Sequence, residues 1–295
     1  VENEITESIL RDRNHVSIVQ WELFNEIRRP ILANMLKPMA LKARKLDPTR
    51  MILDESGGWA EGANLFLPYD DTPTKFNDIH NYPGPNINKN IFDGFLTIGN
   101  SKEENKKLNL FSKTPGRNVI PNLPSYVSEI GYGSLPNLED NEVKFKEKGN
   151  PITYPYLYHI NYNKEIKKAL KKTGLNKIFN NTEDFYKLQQ KVHGIANKRM
   201  IEAIRSNPSI IGYCVHALTA GDWVIGAGLL DLWRNPKGEA YYKTKEANQE
   251  NLIVIRTNKR NYYENEKIDL EFIGVSERET MNINLKIIIK KGNKI

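Results

Sequence analysis

The feature that most constrains this chain is an alternation of apolar, β-branched runs with helical patterns over its first 245 or so residues. Strands are predicted at about 15–23, 50–55, 75–82, 124–131 and 208–218. The clearest helix lies just before the last strand, with Thr182 as its predicted N-cap and Pro208 beyond its end. Strands that alternate with helices form a parallel sheet covered by those helices. The sequence therefore predicts an α/β fold, either a doubly wound sheet or a barrel.

Polar side chains at the carboxyl ends of the predicted strands help to decide between the doubly wound sheet and the barrel. Four strand ends carry them, namely Asn25 with Glu26, His80 with Asn81 and Tyr82, Ser128 with Glu129, and His216. A barrel places its functional residues at the carboxyl ends of several different strands. The distribution therefore favours the barrel.

Composition excludes several classes of protein. Hydrophobic residues make up 39% and charged residues 27% of the chain, which is typical of a globular domain. No apolar run approaches the roughly 20 residues of a membrane helix. The net charge is +7, but the lysines concentrate in residues 164–177 and at the end of the chain. Without an aromatic-interleaved basic motif, zinc-finger spacing or a glycine-rich phosphate loop, solvated lysines are favoured over a polyanion site. Cys214 lies in an apolar run and is predicted to be buried and inert.

Two of the strand-end residues are glutamates, and a pair of carboxyl groups is what hydrolysis of a glycosidic bond requires. One carboxyl group protonates the leaving oxygen, and the other attacks the anomeric carbon or activates a water. Glu129 follows Glu26 by a distance equal to three barrel repeats of roughly 30 residues each, so both would project into one mouth. Spacing alone leaves open that Glu26 is only the acidic start of a helix.

The local sequence around these strands resembles a known family. The segments are "RDRNHVSIVQWELFNE", "LDPTR", "YVSEIGYGSLP" and "GLLDLWRNPKGEAYY", in that order. They resemble, respectively, the fourth-strand signature, the element before the fifth strand, the seventh strand and the segment after the eighth strand of the glycoside hydrolase family 2 barrel. The departures "NHVS" for Asn-His-Pro-Ser and "EIG" for Glu-Phe-Gly are conservative.

The resemblance implies a role for each strand-end residue. Glu26 matches the general acid/base, Asn25 the residue that hydrogen-bonds the sugar 2-hydroxyl, and Glu129 the nucleophile. Tyr82 matches a tyrosine that hydrogen-bonds the nucleophile. His80 is expected either to reach the sugar or brace Tyr82, or to be a histidine of the core or of the layer behind the site that does not touch the sugar.

Four further residues are expected to line the sugar site. Trp59, Asp222 and Trp223 lie in loops after strands, where they are suited to stacking on a sugar or hydrogen-bonding it. His216 stands where the family commonly has a tryptophan that forms the floor of the site.

The implied architecture is a (β/α)8 TIM barrel that is partial, with strands 4–8 in residues 1–245 and an insert at about 134–181. The tyrosine-rich insert follows the nucleophile strand, so we expect it to cover the site. Residues 250–295 are predicted to begin an all-β, sandwich-like domain, because their strands follow one another without helices. We expect the chain to be an internal piece of a longer protein, so the lack of a signal peptide carries no weight.

The leading hypothesis is a retaining β-glycosidase that hydrolyses O-glycosidic bonds with two glutamates. It implies a carbohydrate substrate, no cofactor or metal, and no nucleic-acid or membrane partner. One alternative is a non-catalytic, carbohydrate-binding relative. The other is a basic protein that binds polyanions through residues 164–177.

Overall fold

A computed structural model of the protein describes residues 1–27, 29–57, 63–111, 119–149, 153–219, 225–278 and 284–288. The helices are α1 (Glu2–Asp12), α2 (Pro30–Leu46), α3 (Lys89–Leu96), α4 (Lys102–Lys107), α5 (Leu138–Glu147), α6 (Tyr154–Thr173), α7 (Thr182–Arg205) and α8 (Gly238–Ala247). The strands are β1 (Gln20–Glu22), β2 (Met51–Leu53), β3 (Ala63–Phe66), β4 (Thr74–Asn81), β5 (Ser125–Ile130), β6 (Ile210–Val215), β7 (Asn251–Thr257) and β8 (Leu270–Ser276).

Strands β1 to β6 form one sheet in the order of the sequence, with β1 and β6 at its edges. The pairs β1–β2, β4–β5 and β5–β6 are parallel. Helices α2 and α7 precede β2 and β6, which is the strand–helix–strand succession of a barrel. The predicted partial TIM-barrel architecture is therefore confirmed.

The sheet is not purely parallel, and this part of the prediction is wrong. The unpredicted strand β3 lies between β2 and β4 and pairs antiparallel to both. Its four residues include no β-branched side chain, so the sequence pattern did not indicate a strand. Because β3 returns the chain along the sheet, β2 reaches β4 without a crossover helix.

Helix ends follow the expected chemistry with one shift. The N-cap of α7 is Asn181 rather than Thr182: the Asn181 side chain accepts a hydrogen bond from the backbone N–H of Asp184, and Thr182 is the first helical residue. Helix α6 begins well before the basic stretch at 164–177 and ends at Thr173. The C-cap residue that follows, Gly174, has the left-handed conformation common at helix ends. Among the described helices, none has the length and apolarity needed to cross a bilayer.

The main apolar core lies between the outer face of the sheet and its helices. Val127 and Ile130 of β5 pack with Phe95 of α3 and with Met200 and Ile204 of α7, all nearly fully buried. Burial of each such large side chain stabilises the fold by about 1.5–3 kcal/mol. This packing fixes β5, and with it Glu129, against α7.

A second core lies outside β1 and β2, and it contains Trp21. The indole packs with the cluster around Ile9 and Ala43, and its Nε1–H donates to Asp47 Oδ2 at 2.9 Å. Strand β1 directs Trp21 towards this core, because successive side chains of a strand alternate between faces.

The inner face of the sheet is polar and open to solvent. Cys214 of β6, predicted to be buried, is exposed there. Although the residue is exposed, neighbouring protein atoms partly desolvate the thiol, and together with the carboxylates of Glu129 and Glu22 they raise its pKa. The apolar run around Cys214 was misread because a strand with one open face buries only alternate side chains.

The insert at 134–181 contains α5, α6 and a short 3₁₀ helix, Leu175–Lys177. Leu138 of α5 packs against Tyr186 of α7 and Ile225, so the insert lies beside the loops that leave β5 and β6. Its tyrosines Tyr154, Tyr158 and Tyr162 stack on one another along α6, with ring centroids 5.9 and 5.6 Å apart.

Residues after α8 form the small antiparallel sheet β7–β8, paired from Asn251–Ser276 to Thr257–Leu270. The sequence "NINLKIIIK" (282–290) also predicts a strand. Its described part, 284–288, is irregular, and its remaining residues lie outside the described ranges.

Candidate active site

Glu26 is placed directly after β1 by backbone contacts with the end of β2. Its N–H donates to the carbonyl of Ser56 at 3.0 Å, and the N–H of Ser56 donates to the carbonyl of Phe24 at 2.8 Å. Asn25 forms an isolated parallel bridge with Ser56. Glu26 adopts the left-handed conformation, with φ of 51°, which costs of order 1–3 kcal/mol for a residue other than glycine. Its side chain is 32% exposed.

Glu129 lies near the carboxyl end of β5, where it pairs in register with His80 of β4. Tyr82, just beyond β4, donates its phenol hydrogen to Glu129 Oε2 at 2.5 Å. Burial and the hydrogen bond to Glu129 strongly raise the pKa of Tyr82, so the phenol remains a donor throughout the neutral range. The contact implied by the family resemblance is thus present.

The two glutamates approach each other around His80. Nδ1 of His80 lies 2.9 Å from Glu26 Oε1 and 3.5 Å from Glu129 Oε2, and the three groups offer atoms that all lie within 4.8 Å of one another. Carboxyl groups separated by about 5–5.5 Å are typical of retaining glycosidases, whereas inverting enzymes need about 6.5–9.5 Å.

The same trio is the only cluster of potential metal ligands of this kind within the described ranges. A metal ion bound there would have to displace the hydrogen that joins His80 to Glu26.

A network beneath His80 was not predicted from the sequence. His80 Nε2 lies 3.0 Å from Ser56 Oγ, which is also 3.0 Å from Asp78 Oδ1. Asp78 Oδ1 further accepts from Ser128 Oγ and from the Gly57 N–H, both at 2.6 Å. Asp78 could have been found by strand periodicity, because it lies two residues before His80 on the same face of β4.

Carboxylates dominate this inner face. Burial and the charge of Asp78 raise the pKa of Glu22. Protein atoms surround much of this side chain, but it still contacts solvent at the open face. Burial also raises the pKa of Glu55, and this carboxylate accepts a hydrogen bond from the Ile27 N–H at 2.5 Å. The Glu55 contact holds the backbone just after Glu26.

The remaining predicted site residues divide into two groups. His216 follows β6, donates its N–H to the carbonyl of Ile130 at 2.8 Å, and has its ring edge-on to Tyr82 with centroids 6.2 Å apart. It therefore lies beside the site. Trp59, Asp222 and Trp223 lie outside the described residues.

Behind the site, Lys237 joins the segments that follow β5 and β6. Its ammonium donates to the carbonyls of Ser134 and Gly226, both at 2.7 Å, and the residue is buried. Burial lowers the pKa of Lys237 to about 7.

Paired glutamates at the strand ends of a partial TIM barrel, one of them bonded to a tyrosine, define a site of the glycosidase type. Residues 1–84 match the family model of the glycosyl hydrolases family 2, TIM barrel domain. The matched segment carries Asn25, Glu26, His80 and Tyr82, and Glu129 lies beyond it. The resemblance to this family is therefore confirmed for the first part of the chain.

Two solved structures are similar to the chain as a whole. One is a beta-D-mannosidase from Dictyoglomus thermophilum, with 20% identity and a TM-score of 0.53 over 93% of this chain. The other is an FMN-binding beta-glucuronidase from Facaelibacterium prausnitzii L2-6, with 15% identity and a TM-score of 0.46 over 86% of this chain. The chain spans 31% and 32% of their lengths, respectively. No curated protein matches it.

Proposed function

We propose that this chain carries the catalytic carboxyl groups of a retaining β-glycosidase that hydrolyses O-glycosidic bonds. The observation that carries the proposal is the close approach of Glu26 and Glu129, whose ligand oxygens lie within 4.8 Å of each other and of His80 Nδ1. This approach supports a retaining mechanism, because carboxyl groups about 5–5.5 Å apart are typical of retaining enzymes and inverting enzymes need about 6.5–9.5 Å. The chain spans about a third of the mannosidase that it resembles in fold, so the activity is proposed for the whole protein.

In the first step, Glu129 attacks the anomeric carbon while Glu26 transfers a proton to the departing glycosidic oxygen. The bond from carbon to that oxygen breaks, and a glycosyl ester of Glu129 forms. Tyr82 orients Glu129 through its hydrogen bond, so that the other carboxylate oxygen is directed to the sugar.

In the second step, Glu26 is a carboxylate and removes a proton from water as the water attacks the same carbon. The ester bond breaks, Glu129 is released as a carboxylate, and Glu26 regains the proton that it needs for the next turnover. Two inversions at one carbon give net retention of configuration.

Contacts to the sugar are assigned by position. Asn25 is exposed next to Glu26, on the same backbone bridge, and is suited to bind the 2-hydroxyl. His216 borders the site beside Tyr82. Trp59, Asp222 and Trp223 keep their proposed place among the sugar contacts.

The test is the stereochemistry of hydrolysis in the full-length protein. A panel of 4-nitrophenyl β-D-glycosides of galactose, mannose, glucose and glucuronic acid identifies a substrate, and proton NMR then follows the first-formed anomer. The β-anomer is expected to appear first and to mutarotate later. Initial release of the α-anomer would contradict the retaining mechanism, and binding without hydrolysis of any sugar would support a non-catalytic relative.

A further inference from the structure

His80 lies deeper in the site than the two glutamates that it contacts. Its side chain is only 6% exposed, whereas those of Glu26 and Glu129 are 32% and 26% exposed. The imidazole therefore lies beneath the two carboxyl groups and not at the surface that a sugar would touch.

One ring nitrogen serves both glutamates. Nδ1 faces Glu26 Oε1 at 2.9 Å and Glu129 Oε2 at 3.5 Å. Since carboxylate oxygens only accept hydrogen bonds, a hydrogen must lie in this contact, on the imidazole or on Glu26. This geometry ties the position of each carboxyl group to the same atom.

The other ring nitrogen is anchored below. Nε2 contacts Ser56 Oγ, and Ser56 is held by Asp78, which Ser128 and the Gly57 N–H hold in turn. The anchoring residues come from the end of β2, from β4 and from β5, which are also the elements that flank the two glutamates.

Close packing, in addition to hydrogen bonding, fixes the orientation of the His80 ring. Gly57 lies against the imidazole so tightly that a β-carbon there would be 2.3 Å from Nδ1. The imidazole ring is therefore restricted to one orientation, in which Nδ1 points to the carboxyl groups and Nε2 points to Ser56.

We infer that His80 is a positioning residue, which sets the separation and orientation of Glu26 and Glu129 through Nδ1 while Ser56 and Asp78 hold the ring through Nε2. This inference rests on the proposed function. Charged groups that face the ring are Glu26 and Glu129 at Nδ1, Asp78 behind Ser56, and Glu22 and Glu55 from the neighbouring strand ends.

Two amide substitutions distinguish the roles of the two ring nitrogens of His80. The terminal amide of His80→Asn stands at the distance of Nδ1 from the backbone, so it keeps a hydrogen-bonding group for the carboxyl groups and loses the contact to Ser56. The longer His80→Gln places its amide at the distance of Nε2, so it keeps the contact to Ser56 and loses the one to the carboxyl groups.

The experiment compares these variants in the full-length protein with a phenyl glycoside, whose poor leaving group needs the acid. His80→Gln is expected to lower kcat by about 10²-fold with little change in KM, the effect of a misplaced catalytic group. His80→Asn is expected to lose about 10-fold or less. A loss in His80→Asn equal to or larger than that in His80→Gln would overturn the inference, as would an effect confined to KM, which would mark a sugar ligand.

Ser56→Ala provides a second test that is independent of how the amides fit. Because Ser56 acts through the ring, this change should lower kcat in the wild-type background and add little in the His80→Asn background, where the contact is already lost. Full additivity would contradict the inference. If Glu129→Gln is inactive but the His80 variants keep the wild-type kcat, the positioning role alone is refuted. If Glu129→Gln is active, the proposed function is refuted.

Discussion

The phenol oxygen of Tyr82 lies 2.5 Å from Oε2 of Glu129, and this is the contact that most directly orients the proposed nucleophile. A hydrogen bond to a charged group is worth about 1.5–3 kcal/mol. Tyr82→Phe should therefore lower kcat by about 10- to 100-fold without changing the fold. Steady-state kinetics measure the effect. Tyr213→Phe, which loses a 2.7 Å bond to Asn248, is the matched control and should retain full activity.

The two glutamates should respond differently to replacement. Glu129→Gln should abolish turnover, because an amide does not attack the anomeric carbon. Glu26→Ala should lower the rate on poorly activated substrates by about 10²–10⁴-fold, yet keep the first step with activated aryl glycosides. Added azide needs no base, so it should restore turnover of Glu26→Ala and give a β-glycosyl azide. Equal responses of the two variants, with no rescue of either, would show that the roles are misassigned.

Gly57→Ala should lower activity by more than its loss of folding stability can explain. Alanine at this position has both an unfavourable φ of 61° and a β-carbon 2.3 Å from the His80 ring, so the ring must move. A shift of about 1 Å at a catalytic group costs up to roughly 10²-fold in rate. Gly174→Ala, at φ of 75° with nothing within 4 Å, shares the backbone strain without the clash. It should lose about 1 kcal/mol of stability and no activity. Melting curves and kinetics of both variants distinguish the two effects.

Asp47 should contribute stability that disappears in acid. Burial by itself raises the pKa of Asp47, but hydrogen bonds from Thr49, Trp21 and Arg50 outweigh it and lower the pKa to about 2. The unfolded chain thus binds the proton first, and stability falls as the pH drops from about 4 towards 2. Asp47→Asn should cost about 2 kcal/mol at pH 7. Urea denaturation at pH 7 and pH 3 should show this difference shrinking; a constant difference would contradict the account.

The sequence allowed Glu26 and Glu129, the proposed catalytic pair, and Tyr82 to be located because they lie in distinctive motifs at strand ends. Five of the six strands of the main sheet followed from periodicity. The roles of Ser56 and Ser128 beneath His80 were missed because they depend on three strands meeting below one imidazole, which no local pattern encodes. Asp78 was missed although it lies two residues before His80 on the same strand. Strand β3 was missed because Ala63–Phe66 contains no β-branched residue. The exposure of Cys214 depends on which face of β6 is covered, and that is a property of neighbouring strands.

The left-handed backbone at Glu26 has a consequence for how this site tolerates change. Glycine adopts that conformation without a steric penalty, so Glu26→Gly should relieve strain while it removes the acid. Stability therefore favours glycine at position 26, whereas the proposed activity requires glutamate. A library of random variants sorted only for resistance to heat would enrich glycine at position 26, whereas one sorted for turnover would keep glutamate.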